Sequence, residues 1–108
     1  MIKNHKIILN FYMYKISKYS YVVAKKLGVL IEPSHNKKKK IDVLDYYGNY
    51  ICSIGSYGMK DFTTYLLKYG RDYDYALERR RLYALRHKHD MKKLGSAGFY
   101  AAKILWLL

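Results

Sequence analysis

Two apolar, aromatic-rich runs, Ile41–Tyr46 and Tyr50–Ile54, stand on either side of Tyr47-Gly48-Asn49. Runs of this length around Gly-Asn turn chemistry predict a β-hairpin, because glycine and asparagine accept the backbone angles that a tight reversal needs. The hairpin is the strongest local constraint on the chain. Beyond it the chain reads as helical. Asp61 or Lys60 opens a short helix that runs to about Tyr69 and is stopped by Gly70. Asp72 or Asp74 then caps a longer helix to about His89, with acidic residues in its first turn and basic ones later, complementing the helix dipole. Gly95 and Ser96 interrupt it and cap a last helix, Ala97–Leu107, in which Lys103 is the one charged residue. A helix so apolar must be buried by its own chain or by a partner.

Ahead of the hairpin the pattern is less decisive. Ile8, Phe11, Tyr12, Ile16, Tyr19 and Val23 fall at near-helical spacing, with an alternating strand as a close competitor. Ser20 is expected to cap a short helix, Tyr21–Leu27, ended by Gly28, and Val29–Ile31 reads as a short strand before the turn Glu32-Pro33-Ser34-His35-Asn36. The expectation is a small α+β domain over residues 38–108, a β-hairpin packed with two or three helices, preceded by a basic Tyr- and Lys-rich arm over residues 1–37. Tyr46, Ile51, Ile54, Phe62, Leu66, Leu82, Leu85, Phe99, Ile104 and Trp106 are the expected core.

Charge narrows the function. The 108 residues hold 21 lysines and arginines against 8 acids, a net charge of +13. Residues 1–40 carry ten lysines and one acid, Glu32; residues 41–77 carry three basic and five acidic side chains; residues 78–108 carry eight basic and two acidic. A surplus of this size favours nucleic acid, acidic protein surfaces or anionic membrane as partners. Fourteen tyrosines suit a surface that lies against others, since the ring packs while the hydroxyl stays hydrated; AT-rich coding accounts for the same composition. Cys52 is the single cysteine, which excludes an intrachain disulfide and a cysteine zinc cage, and it reads as a small buried hydrophobe. Ile7–Tyr14 follows Lys3 and Lys6 as a secretory signal would, but Asn10 interrupts it, Lys15 and Lys18 close it, and no clean cleavage site follows. No stretch approaches the roughly 20 apolar residues that span a bilayer.

The candidate binding residues are Lys37, Lys38, Lys39, Lys40, Arg79, Arg80, Arg81, Tyr83, Arg86 and His87. On a helix Arg79, Tyr83 and Arg86 share one face, with Arg80 and His87 on the neighbouring stripe. Guanidinium groups beside a ring suit phosphates or carboxylates; a solvated face with arginines paired to Asp72, Asp74 or Glu78 is the competing reading. Lys37–Lys40 suits a nucleic-acid backbone, although such a run is more often a solvated loop. Gly98 and Ala102, like Ala97 and Ala101, are spaced to let another helix approach, in the domain's own core or in a neighbouring subunit. Catalysis finds little: His87-x-His89 offers two metal ligands without a third, Ser53 and Ser56 lack triad context, and Gly48, Gly55 and Gly58 lack phosphate-loop spacing. Nothing points to a catalytic residue, a cofactor, a metal or a small-molecule substrate, and a nuclease built on Asp61, Asp72 or His87 is not favoured.

From about Lys38 to Trp106 the chain resembles a family of small basic uncharacterised proteins of nucleocytoplasmic large DNA viruses, of the mimivirus and chlorella-virus kind. The residues concerned are the basic hairpin, Gly58-x-x-Asp61-Phe62-Thr63, Arg79-Arg80-x-x-Tyr83-x-x-Arg86-His87, Ala97-Gly98-Phe99 and Ile104-Leu105-Trp106. The chain departs from that pattern at Thr64-Tyr65, where the family often has a histidine, and at Tyr69–Tyr75, an insertion before the arginines. The resemblance implies no enzyme activity. It implies a virion role, in the capsid shell or with the packaged genome. Together with the Tyr-rich composition, the long arm and the apolar C-terminal helix, it makes the expectation a structural virion component, a minor capsid protein bridging larger shell proteins, found in the virion and in host cytoplasm during assembly. A nucleic-acid-binding protein on the packaged genome is the alternative, and membrane-surface association ranks third.

Overall fold

A hairpin by itself is marginal in water, so its apolar face must be covered by the rest of the chain. In the computed structural model, which describes residues 13–108, this covering comes from both sides of the sequence. Strand β1 (Leu30–Pro33) pairs antiparallel with β2 (Lys39–Leu44), and β2 pairs antiparallel with β3 (Tyr50–Ser56), giving a three-stranded sheet in the order β1-β2-β3. Helix α1 (Lys18–Leu27) precedes the sheet; α2 (Phe62–Tyr69), α3 (Asp74–Arg86), a 3₁₀ turn (Asp90–Lys92) and α4 (Ala97–Ile104) follow it. The fold is a small single-domain α+β arrangement with four helices.

The reversal between β2 and β3 is built by Asp45. Its carboxylate accepts from the backbone N–H of Tyr47 and of Asn49, both at 2.9 Å, while Gly48 takes a φ of 89°. Tyr46 and Tyr47 therefore belong to the turn, and Tyr46, expected in the core, is exposed. Ile51 leaves the expected core for a different reason. Val43 pairs with Cys52 and Leu44 with Tyr50, so Ile51 is the extra residue of a β-bulge in β3 and has no cross-strand partner. Cys52, beside it, is half-buried.

Ile41, Val43 and Ile54 form the sheet's contribution to the core. Ala24 and Val29 come from α1 and its exit, Phe62, Tyr65 and Leu66 from α2, Ala76 from α3, and Ile104, Leu105 and Trp106 from the end of α4. Thus α1 and β1, which fall within the segment expected to be an arm, pack on the same core as the rest; residues 1–12 lie outside the described part. Leu85 is exposed and Leu82 half-buried, because α3 buries only Ala76 and covers the core along one narrow line; Phe99, expected in the core as well, is half-buried on α4.

Helix limits follow their caps. Asp61 caps α2 through Thr64 N–H, and Ser96 caps α4 through Phe99 N–H. Ser17, not Ser20, caps α1, so that helix starts three residues earlier than expected. Ser20 is fully buried, and its hydroxyl donates to the Ile104 carbonyl at 2.7 Å, joining α1 to α4. Helix α3 starts after Tyr73 with no side-chain cap, and it ends at Arg86 rather than near His89. Tyr65, Tyr69, Tyr73 and Tyr75 cluster at the α2–α3 junction, with Tyr69 and Tyr73 rings 4.3 Å apart. No helix among the described residues is long and apolar enough to cross a membrane.

Candidate anion-binding cleft

The polar groups inside the fold are arranged before those on its surface. Lys40, expected among the binding lysines, is buried, and its ammonium lies 2.7 Å from Asp61 Oδ2. Tyr14 donates to the same oxygen at 2.8 Å, and Oδ1 accepts from the Thr63 hydroxyl and from Thr64 N–H. Burial opposes ionisation of Asp61, but the Lys40 charge and these hydrogen bonds outweigh it and hold the carboxyl below its usual range. Burial, and then the Asp61 charge, push the Tyr14 phenol well above its ordinary value, so it remains a donor. Lys40 is therefore a structural cation; its position in the run Lys37–Lys40 gave no sign of this.

Asp42, next but one along β2, is also spent internally. It accepts from the Ser34 and Ser53 hydroxyls, both at 2.6 Å, and from His35 N–H. Burial resists its ionisation, yet the two hydroxyls and the backbone donor lower its pKa. With Glu32 and His35 it brings ligand-type atoms within 4.8 Å of one another. Both Asp42 oxygens already accept hydrogen bonds, and Glu32 lies 3.4 Å from the His35 ring, so the cluster is accounted for by the β1–β2 loop.

Further cations gather at a cleft that Lys40 also borders. The cleft, of about 260 Å³, opens between the start of β2, the end of β3 with its following loop, and α3, over the end of α4. Lys39, Lys60, Arg79, Arg86 and His87 line its walls; Met59, Leu105 and Trp106 supply apolar surface. Arg79, Tyr83 and Arg86 meet there because residues i, i+4 and i+7 share a helix face, as expected from their spacing. Gly55 lets the floor close. It adopts a φ of 76°, and a Cβ there would lie 2.7 Å from Leu105 Cδ1 and 2.9 Å from Lys40 Cδ.

The other expected site residues are placed differently. Arg80 turns inward: its Nε donates to the Trp106 carbonyl at 2.9 Å, Nη2 donates to the Leu107 carbonyl, and the guanidinium lies over the Phe62 ring. Arg81 is exposed and pairs with Glu78 one turn back. Tyr83 is not an open platform, for it stacks on Trp106 at 4.4 Å and on His87 at 4.3 Å. His87, just past the end of α3, in turn meets Asp90 at 3.1 Å, a contact that occupies one of the two histidines in His87-x-His89. Lys37 and Lys38 are exposed in the β1–β2 turn and do not line the cleft. Lys60 and the floor residues Met59 and Leu105 were not foreseen; Lys60 was noted only as a helix start.

The fold and this cleft define a small basic α+β protein with a cationic recess. No protein-family model matches the chain, and comparison with curated proteins and with solved structures returned no match.

Proposed function

We propose that this protein is a non-enzymatic binder of nucleic acid that grips the phosphate backbone. The observation that carries the reading is the cleft, where Lys39, Lys60, Arg79 and Arg86 gather without a carboxylate among the lining residues. None of the four is in an ion pair among the described residues. Arginine forks and lysine point charges are the groups that replace counterions around phosphates. The test is fluorescence anisotropy with duplex and single-stranded DNA across a salt series. Four phosphate contacts on duplex give a log–log salt slope of about −3.6. If neither form binds at low salt, the reading falls.

A second reading, a structural virion component that bridges shell proteins, draws support from the opposite kind of surface. Tyr46, Tyr47 and Tyr50 are 76%, 86% and 63% exposed around the β2–β3 turn. Exposed tyrosine is enriched where proteins meet. Absence of the protein from purified particles would end that reading.

A further inference from the structure

The chemistry of the cleft is more specific than a general affinity for polyanions. Four cations face a space of about 260 Å³, just below the roughly 300–1,000 Å³ of sites that take small organic ligands. A space of this size favours a single nucleotide unit over the body of a duplex, which can present only its backbone at the rim. The charge does not match an ordinary strand either. An internal phosphodiester brings one negative charge, whereas a phosphate monoester carries about 1.5 to 2 at pH 7, and a diphosphate more.

Among the described residues the acids leave these four cations without an ion pair, and none of the acids lines the cleft. Glu32, Asp42, Asp45 and Glu78 are engaged with residues outside it, whereas Asp61 and Asp90 are taken up by Lys40 and His87, which do line it. Asp72 and Asp74 stand at the far end of α3 from Arg86. Residues 1–12 contain no acid at all, so they have no side-chain carboxylate to offer. Beside the cations lie the exposed Met59 and the half-buried His87 ring, backed by the buried Leu105 and Trp106, a side suited to a sugar or base rather than to a second phosphate.

We infer that the cleft binds the terminal phosphate of a nucleotide, with Arg79 and Arg86 gripping the phosphate oxygens, Lys39 and Lys60 adding charge, and the nucleoside lying against the apolar wall. The inference rests on the nucleic-acid reading and narrows it from backbone to strand end. The same chemistry has a second source, a free nucleotide, which the experiment separates.

The test uses the full chain and 3′-labelled single-stranded 12-mers that differ only in carrying a 5′-phosphate or a 5′-hydroxyl, with a 3′-phosphorylated strand as a third probe. AMP, ADP and adenosine serve as unlabelled competitors. A phosphorylated end is expected to bind about tenfold more tightly than a hydroxyl end, the effect of one charge-assisted contact. ADP is expected to compete, and adenosine is not. Arg79→Gln and Lys60→Gln should each erase the preference, while Arg81→Gln, outside the cleft, should keep it. Lys60 is exposed on a loop, so its variant remains informative if Arg79→Gln fails to fold. Equal affinity for phosphate- and hydroxyl-ended strands overturns the inference and leaves the backbone reading standing. Binding of ADP without any binding of strands upholds the cleft's chemistry and removes the nucleic-acid reading. If neither strands nor ADP bind, both fall.

Discussion

Lys40 and Asp61 show how far a residue's role departs from its type. A lysine in a run of four reads as solvated, yet this one is 3% exposed and paired with a carboxylate that is 1% exposed. Breaking a buried pair from one side leaves a charge without compensation, which costs about 3–5 kcal/mol. Lys40→Met is therefore expected to lower unfolding free energy by about that amount in denaturant titrations, whereas Lys37→Met and Lys38→Met, on the exposed turn, should change it by less than about 0.5 kcal/mol. The pH dependence has a definite sign. Asp61 and Asp42 are both held below the ordinary carboxylate value of 3.8. Their contribution is complete above that value and is lost as pH falls through the folded-state pKa values. Acid titration by circular dichroism should show unfolding in that range, and Asp61→Asn should shallow the acid limb while lowering stability at neutral pH.

At the scale of elements, what the sequence showed well were starts and stops with a local chemical cause. Ser96 caps the helix it was expected to cap, Asp61 rather than Lys60 caps the one before the tyrosine cluster, and Gly28 and Gly70 end theirs. Ser96→Ala should lower the melting stability by about 1 kcal/mol through the lost cap. The expectations that failed depended on partners distant in sequence. Ser20 has the composition of a cap, but its hydroxyl is claimed by Ile104, 84 residues away. Helix α3 ends at Arg86, where the next residue, His87, meets Asp90 and stacks on Tyr83, neither of which resembles a stop signal. Tyr46 and Ile51 lost their core positions to a turn and a bulge, which shift register without changing composition. Of the site, the Arg79–Tyr83–Arg86 face was legible because helical periodicity is local. The contributions of Lys60, Leu105 and Gly55 were not, because they depend on how β3 meets α4. Gly55→Ala tests that meeting: left-handed backbone strain plus the clash with Leu105 should destabilise the fold by about 1–3 kcal/mol in thermal melts.

Across the whole molecule, the acids are largely used in pairs and caps while much of the basic surplus remains outside. This separation makes any polyanion complex strongly dependent on ionic strength. With four phosphates engaged, raising salt from 50 to 200 mM should weaken duplex binding about 150-fold, measured by anisotropy. A complex formed instead through the tyrosines of the β2–β3 turn should change little over the same range. The cleft also contains the chain's one tryptophan, Trp106, 8% exposed and stacked on Tyr83, with its carbonyl held by Arg80. Its indole emission therefore arises from a single known place on the wall of the recess. A molecule entering there would change the colour and yield of that emission, so the protein carries an intrinsic optical gauge of occupancy that needs no dye.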